Sequence, residues 1–168
     1  QGFAKIPFDH LYSRMVLIDA ISNLGLDPEN SVVLSPDVGS AAMSQAYAKR
    51  LGMHFALIDK RRFVPNQAKV SHLIGDLEKM DVLIIDDMID TAGTTVGAAE
   101  AAMKKGAKSV TAIATHGVLS GPAIDRLSKA PIKNLIVTDT ILISNRKKLD
   151  NMKIITVADV FGSAINHI

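Results

Sequence analysis

The chain has 168 residues, enough for one domain with its own core, and a hydrophobic share of 48% with only 4% aromatic residues indicates an aliphatic core. Its 19 basic and 17 acidic residues give a net charge of +2, which is too balanced to predict binding to nucleic acid or to a membrane surface. The absence of cysteine excludes disulfides and thiolate chemistry, and because no apolar run approaches the roughly 20 residues that cross a bilayer and no amino-terminal signal is visible, we expect a cytosolic protein.

Residues 1–30 are predicted to form a linking segment followed by one helix. Residues 1–12 (QGFAKIPFDHLY) show neither helical nor alternating periodicity, which predicts a loop. Residues 14–24 have apolar side chains at helical spacing, and Gly25 is a favourable helix end. Because the chain starts without an initiator methionine, we expect this segment to come from the middle of a longer protein and residues 31–168 to form a separate domain.

A first strand over residues 31–34 (SVVL) leads into a polar turn and a helix predicted over residues 41–51. Pro36 ends the strand, and Gly39 and Ser40 can present backbone N–H groups. Asp37 offers a carboxylate at the carboxyl end of the strand. It can act as a helix cap or as a ligand of a metal ion or diphosphate, and this turn alone does not separate the two readings.

A second strand over residues 55–58 (FALI) delivers a run of cations, Lys60 to Arg62, into a long polar segment. Consecutive cations on a loop usually form a solvated surface. From the same sheet edge, however, they can also neutralise charge that develops on a polyphosphate. Both interpretations stay open on charge alone.

The most informative stretch is residues 82–95 (VLIIDDMIDTAGTT). Its first four residues are apolar and rich in β-branched side chains, which predicts a strand buried on both faces of a parallel sheet. Asp86, Asp87 and Asp90 are expected just past the carboxyl end of this strand. The adjacent pair can accept hydrogen bonds from sugar hydroxyls, directly or through a divalent cation.

Small residues follow these acids and precede a helix predicted from residue 96. Thr91, Ala92, Gly93 and Thr94 place hydroxyls and a flexible backbone at the helix start, where unpaired N–H groups bind phosphate. The alternative is an ordinary turn in which Asp and Thr serve as caps. The combination of a buried strand, three acids and this loop favours a phosphorylated sugar as the ligand.

Three more strands are predicted near residues 109, 135 and 154, with helices over residues 123–127 and 158–168. His116 follows the first of these strands, where it either lines a site or packs as an ordinary histidine. The alternation of six strands with helices predicts a doubly wound, mainly parallel α/β sheet. In such sheets ligands bind at the carboxyl ends of the strands, and all the candidate loops fall at that edge.

Residues 82–95 resemble the phosphoribosyl-diphosphate signature of the type I phosphoribosyltransferase fold. With SPDVG at 35–39, IDKRR at 58–62, ATHGVLSGPA at 114–123 and the segment at 1–12, the chain resembles the carboxy-terminal half of the ribose-phosphate pyrophosphokinase family. Two positions depart from the family pattern: Ser40 and Met43 stand where a Gly and an Arg are usual.

The resemblance implies a Mg²⁺-dependent transfer of diphosphate from ATP to ribose 5-phosphate, giving phosphoribosyl diphosphate and AMP in a homo-oligomeric enzyme of hexamer type. It also implies roles for particular residues. The implied roles are Mg²⁺ binding for Asp37, catalysis for Lys60 and Arg62, ribose-hydroxyl binding for Asp86 and Asp87, 5-phosphate binding for Asp90, Thr91, Ala92, Gly93 and Thr94, and site lining for Gly39, Ser40 and His116. Residues 31–168 would then be the sugar-phosphate-binding domain.

Two other functions are compatible with the central signature: a phosphoribosyltransferase that acts on a nucleobase, and a non-catalytic regulatory homologue. The cations at 60–62 and the lack of a base-binding hood disfavour the first. Retention of the three acids and of Lys60 and Arg62 disfavours the second. We also expect this chain by itself to bind the sugar phosphate without forming product from ATP.

Overall fold

A computed structural model describes residues 2–61 and 70–167. For residues 60, 61, 70 and 71 the description covers the backbone and not the side chain. This part contains five α-helices and seven strands, and β2, β3 and β4 follow one another without a helix between them. In chain order they are α1 Arg14–Ser22, β1 Ser31–Ser35, α2 Ala41–Leu51, β2 His54–Arg61, β3 Val70–Ile74, β4 Asp81–Ile89, α3 Gly93–Lys104, β5 Ser109–Gly117, α4 Ala123–Lys129, β6 Asn134–Thr138, β7 Met152–Ile155 and α5 Ala158–Asn166. None of the described helices has both the length and the apolar character needed to cross a membrane.

The strands form one sheet in the order β3-β2-β1-β4-β5-β6-β7, in which only β3 is antiparallel to its neighbour. The chain runs outward from β1 through β2 to β3 and then returns to place β4 against the other side of β1. This reversal makes the β1/β4 boundary a topological switch point, where ligands bind in open α/β sheets. The predicted doubly wound, mainly parallel sheet is confirmed.

Helices cover both faces of the sheet because the central strands are apolar on both sides. Ile84 of β4 points to a core shared with α3, whose Ala98 and Ala102 are fully buried and allow close packing on the sheet. Leu83 points to the opposite core, which includes Ile21 of α1 and residues of α2. The helix before residue 30 thus packs on the sheet, while the proposed domain boundary there stays a prediction.

Three strands, β2, β4 and β5, extend further at their carboxyl ends than the sequence predicts. β4 continues to Ile89 and β5 to Gly117, since their pairing extends through Asp86 opposite Ala114 and Met88 opposite His116. β2 likewise runs to Arg61. The last part of a strand, and not a loop beyond it, therefore contains Asp86, Asp87, His116 and Lys60. The sequence prediction ended these strands too early because their last residues are polar, although the backbone is still paired.

The sequence prediction also missed β3. This strand pairs with β2 from Leu57 opposite Ile74 to Arg61 opposite Val70, so it forms a hairpin on the edge of the sheet. The chain leaves it at Gly75, where φ is +113° and a Cβ would lie 2.8 Å from that of Ala56. Only glycine fits this conformation and this close approach.

Helix limits shift by a few residues. α3 begins at Gly93, three residues before the predicted start, and α4 continues to Lys129. α1 ends at Ser22, two residues short of the prediction. The earlier start of α3 matters for the site, because it places Gly93 and Thr94 in the first turn of the helix.

Candidate active site at the switch point

Asp86 and Asp87 lie in the part of β4 that extends beyond the carboxyl end of β1. Leu34 of β1 is level with Ile84 of β4, and β1 ends one residue later at Ser35. The turn formed by residues 36–40 therefore stands beside Asp86 and Asp87. The strand register, and not sequence proximity, brings the two predicted acidic segments together.

Ser40 connects these segments. Its backbone N–H donates to Asp37 Oδ1 at 3.0 Å, and its hydroxyl donates to Asp86 Oδ1 at 3.3 Å. Gly39 lies inside the same turn, where an added Cβ would come within 3.3 Å of Asp37 Oδ1. Met43, the other departure from the family pattern, packs at the edge of the core beneath α2. The unusual serine thus joins Asp37 to the acidic pair.

The carboxyl group of Asp86 is held in an unfavourable electrostatic environment. Burial raises its pKa to about 6, and the negative charges of Asp87 and Asp37 add to this effect, against a backbone N–H bond from Asp87 that lowers it. Asp87 is exposed. Within residues 2–61 and 70–167, neither acid forms an ion pair with a Lys or Arg. Several carboxylates near one another without a cation are typical of a ligand-binding site.

These carboxylates fit a divalent cation of the Mg²⁺ type in donor chemistry. Mg²⁺ prefers oxygen ligands and usually takes only one or two carboxylates, with water and substrate phosphates completing its shell. Asp37, Asp86 and Asp87 offer such oxygens at the switch point. In the described part of the chain, no group of three or more His, Asp or Glu side chains is placed to hold a metal ion by itself. The site therefore suits a cation shared with a phosphorylated ligand.

The loop after β4 is shaped to expose the start of α3. Ala92 adopts a left-handed conformation with φ of +61°, which is uncommon for a residue with a side chain, and it is almost fully buried. Gly93 and Thr94 follow as exposed residues of the first helical turn. N–H groups at this position have no partner within the helix and carry the positive end of its dipole. The loop can therefore receive a phosphate group.

A second loop, between β5 and α4, braces this one. The Ser120 hydroxyl donates to Asp90 Oδ1 and its backbone N–H donates to the Asp90 carbonyl at 3.1 Å. The Arg126 guanidinium donates to the Thr91 carbonyl at 2.9 Å, and its Nη1 would lie 3.4 Å from a Cβ at Gly93. Sequence reasoning missed Arg126, because nothing in its local pattern shows that α4 packs next to α3.

A cleft of about 540 Å³ opens beside the acidic pair, on the α1 and α2 face of the sheet. Its walls combine polar groups of β4 and β5 with apolar and aromatic side chains from the amino-terminal segment, α2 and α5. They include Tyr12, Met43, Tyr47, Asp87, His116 and Phe161. His116 therefore faces the same space as the acids.

The side chains of the two predicted catalytic residues, Lys60 and Arg62, are not described by the structure. Lys60 belongs to β2, whose carboxyl end lies at the same edge of the sheet as the acids, but only its backbone is described. Arg62 lies outside the described residues. Their roles stay predictions.

Comparison with known proteins gives close relatives over the whole chain. Ribose-phosphate pyrophosphokinase of Clostridium acetobutylicum is 44% identical over 168 residues, which is 100% of this chain and 53% of the relative. The enzyme of the same name from Caldanaerobacter subterraneus is 46% identical over 165 residues, covering 98% of this chain and 52% of the relative. The chain thus spans about half the length of the curated relatives it matches.

Solved structures agree with the observed topology. Phosphoribosylpyrophosphate synthetase from Mycobacterium smegmatis matches with a TM-score of 0.90 and 35% identity, over 99% of this chain and 53% of that one. A purine phosphoribosyltransferase from Pyrococcus horikoshii matches with a TM-score of 0.51 and 17% identity, over 85% of this chain and 82% of that one, which supports the fold alone. The fold is that of type I phosphoribosyltransferases, as predicted. Because residues 59–168 match the family described as the phosphoribosyl synthetase-associated domain, the chain belongs to that family.

Proposed function

We propose that this chain carries the sugar-phosphate site of a ribose-phosphate pyrophosphokinase, which converts ATP and ribose 5-phosphate into phosphoribosyl diphosphate and AMP. The observation that carries the proposal is the spacing of two subsites on one strand and its loop. Two carboxylates that form no ion pair with a Lys or Arg of the described residues, Asp86 and Asp87, stand next to the exposed helix start at Gly93 and Thr94. This arrangement fits a ligand with adjacent hydroxyls at one end and a phosphate at the other.

In this assignment Asp86 and Asp87 accept hydrogen bonds from ribose hydroxyls. Asp90, Thr91, Ala92, Gly93 and Thr94 form the loop that holds the 5-phosphate, with Ser120 and Arg126 supporting its shape from outside. The sugar would then be held at both ends. Such two-point binding orients the 1-hydroxyl, and orientation supplies much of the catalysis in phosphoryl transfer.

The reaction transfers a diphosphate group. The 1-hydroxyl oxygen attacks the β-phosphorus of ATP, the bond from that phosphorus to the oxygen shared with the α-phosphate breaks, and AMP leaves as the hydroxyl proton is lost. Lys60 and Arg62 are assigned to neutralise the charge that develops on the transferred group. Asp37, together with Asp86 and Asp87, is assigned to hold Mg²⁺. When bound, this ion would supply positive charge to the polyphosphate. Gly39 and Ser40 are assigned to line the diphosphate side.

Because the chain spans only about half the length of its relatives, we propose that ATP turnover needs the remainder of such a protein, and that the whole enzyme is a cytosolic homo-oligomer. The described part of the chain forms two packed cores around a single sheet. We therefore expect the chain to fold and bind sugar phosphate by itself, without forming AMP at the roughly 1 to 1,000 per second typical of enzymes.

Calorimetric titration with a series of matched ligands tests the proposal. Ribose 5-phosphate should bind, whereas ribose, which lacks the phosphate, and 2-deoxyribose 5-phosphate, which lacks one hydroxyl, should each bind at least about tenfold more weakly. Nucleobases should give no heat. The variant Asp81→Asn, altered at the opposite end of the same strand, serves as the protein control and should bind like the parent chain. Equal affinity for all three sugars, or no binding of ribose 5-phosphate, would contradict the assignment.

A further inference from the structure

A hydroxyl network surrounds the ring of His116. The hydroxyl of the fully buried Thr138 lies 2.6 Å from the Thr115 carbonyl oxygen and 3.0 Å from the Thr140 hydroxyl. The Thr140 hydroxyl in turn lies 3.2 Å from the same carbonyl and 2.9 Å from His116 Nδ1. These four groups belong to the ends of β5 and β6 and the loop after β6. The Thr140 backbone N–H also donates to the Thr138 hydroxyl oxygen at 3.3 Å, so both threonine side chains belong to one hydrogen-bonded network.

Counting protons in this set determines which ring nitrogen is protonated. A carbonyl oxygen can only accept, so the short contact to Thr115 consumes the single proton of the Thr138 hydroxyl. The Thr140 hydroxyl donates to the same carbonyl oxygen at 3.2 Å, which uses its own single proton. Thr140 therefore meets His116 Nδ1 with a lone pair, and that contact is a hydrogen bond only if Nδ1 carries a proton. The opposite tautomer would require the Thr140 proton at Nδ1 and would remove the hydrogen bond from Thr140 to the Thr115 carbonyl.

We propose that Thr138 and Thr140 hold His116 in the Nδ1–H tautomer, so that Nε2 faces the cleft as an acceptor for a hydroxyl of the bound sugar phosphate. This inference rests on the proposed function for the identity of the ligand, but not for the tautomer. Thr138 and Thr140 are positioning residues, and His116 is a binding residue.

The surroundings of the ring support an acceptor role. His116 lines the same cleft as Asp86 and Asp87, and the backbone of His116 is paired with that of Met88, directly after the acidic pair. With Nδ1 engaged by Thr140, Nε2 is the ring nitrogen left for a ligand. Two carboxylates and a bare imidazole nitrogen present acceptors on adjacent strands. A polyhydroxylated ligand can donate hydrogen bonds to these acceptors from its hydroxyl groups.

Nitrogen-15 NMR of the 168-residue chain tests the tautomer directly, because two-bond ring correlations distinguish a protonated from an unprotonated nitrogen. The chain contains reference histidines for both forms. His167 Nδ1 lies 2.6 Å from the Ser163 carbonyl, which requires Nδ1–H, and His54 Nε2 lies 3.1 Å from the Glu29 carbonyl, which requires Nε2–H. At a pH where all three rings are neutral, His116 should match the pattern of His167 and not that of His54.

The variant Thr140→Val tests the network while preserving shape. It should move His116 toward the Nε2–H pattern, Thr140→Ser should restore the original pattern, and the signals of His54 and His167 should stay unchanged in both variants. An Nε2–H pattern in the parent chain, or a Thr140→Val chain with the parent pattern and a folded backbone spectrum, would overturn the inference.

Titration with ribose 5-phosphate tests the acceptor role. His116→Ala should weaken binding about threefold to tenfold, the equivalent of one neutral hydrogen bond, whereas His116→Gln, whose amide oxygen reaches toward the Nε2 position, should lose less than about half of that effect. Thr140→Val should weaken binding and Thr140→Ser should restore it. Unchanged affinity in His116→Ala would overturn the acceptor role. Failure of the parent chain to bind would instead contradict the proposed function, and the NMR result would still decide the tautomer.

Discussion

The two ends of strand β4 carry aspartates in opposite environments. At the amino end, the Asp81 carboxylate accepts from the Ser109 hydroxyl at 2.6 Å and from the Lys108 ammonium at 2.9 Å. At the carboxyl end, Asp86 receives one weak hydroxyl bond and one backbone bond, and it faces two further acids. Burial raises the pKa of both groups, but the partners of Asp81 lower its pKa below the ordinary value, whereas the pKa of Asp86 rises to about 6.

This contrast separates a structural carboxylate from a functional one on a single element. A satisfied acid stabilises the fold and has little capacity left for a ligand. An unsatisfied acid costs stability until a ligand or cation arrives. Removing charge at the two positions should therefore have opposite consequences, and the following predictions test that expectation.

The largest effect is expected on ligand binding at the carboxyl end. Asp86→Asn or Asp87→Asn should weaken ribose 5-phosphate binding by about 1.5 to 3 kcal/mol, because a charge-assisted hydrogen bond to a sugar hydroxyl is lost. The unfolding free energy should be unchanged or slightly higher, since repulsion among Asp37, Asp86 and Asp87 decreases. Titration calorimetry and urea denaturation measure the two quantities. Unchanged affinity in both variants would exclude these acids from hydroxyl binding.

The second effect is a loss of stability at the amino end. Asp81→Asn should lower the unfolding free energy by about 1.5 kcal/mol, because Asp81 is only 9% exposed and its charged hydrogen bonds to Ser109 and Lys108 are lost. Sugar-phosphate affinity should stay at the parent value. The control Asp125→Asn removes an exposed ion pair with Lys129 and should change stability by less than about 0.5 kcal/mol. Equal stability of both variants would refute a structural role for Asp81.

The contribution of Asp81 should depend on pH in one direction. Its folded-state pKa is lower than its ordinary value of about 3.9, so the stabilisation is fully present above that pH and is lost as the pH falls through the folded-state pKa. The stability difference between the parent chain and Asp81→Asn should therefore be constant from about pH 5 to 7 and shrink below about pH 4. Urea denaturation across this range measures it. A difference that grows on acidification would mean that the sign of the shift is wrong.

The smallest effect on ligand binding is expected from Arg126, which supports the loop after β4 from α4. Arg126→Met keeps the aliphatic stem but removes the hydrogen bond to the Thr91 carbonyl. Because Arg126 is exposed, stability should change by less than about 0.5 kcal/mol, while affinity for ribose 5-phosphate should fall about twofold to fivefold. The matched control is Lys129→Met, one turn further along α4. Parent-like affinity in Arg126→Met would show that the loop keeps its shape unaided.

Sequence reasoning was sufficient where a local pattern dictates structure. The apolar run before Asp86 predicted a central buried strand, and its neighbours predicted the parallel sheet, which the structure confirms. It failed where pairing extends into polar residues. β3 was missed because its residues, VSHLI, are a short edge strand stabilised by β2 and not by burial of a continuous apolar run.

The site shows the same division. The acids, the small-residue loop and His116 could be named from the sequence, because their residue types suit a sugar phosphate. Their mutual geometry could not, since it depends on where β1 ends relative to β4. Ser40, which links Asp37 to Asp86, is 46 positions from Asp86 in the sequence. Arg126 is 35 positions from Thr91, whose carbonyl it supports. Only the assembled sheet brings such residues together.

The edge hairpin gives the carboxyl end of β2 a different dynamic character from that of β4. Pairing with β1 ends at Leu57 and Ile58 is still buried in the core, whereas from Asp59 to Arg61 the strand paired with β2 in the described sheet is β3, itself an edge strand. This extension can open without disturbing any parallel pair of the sheet. In hydrogen-exchange experiments, amides of residues 59–61 should therefore exchange through local opening, well before those of Val82 to Ile85, which are released only by global unfolding. The backbone that carries Lys60 is then free to adjust to a ligand while the strand that carries Asp86 stays fixed.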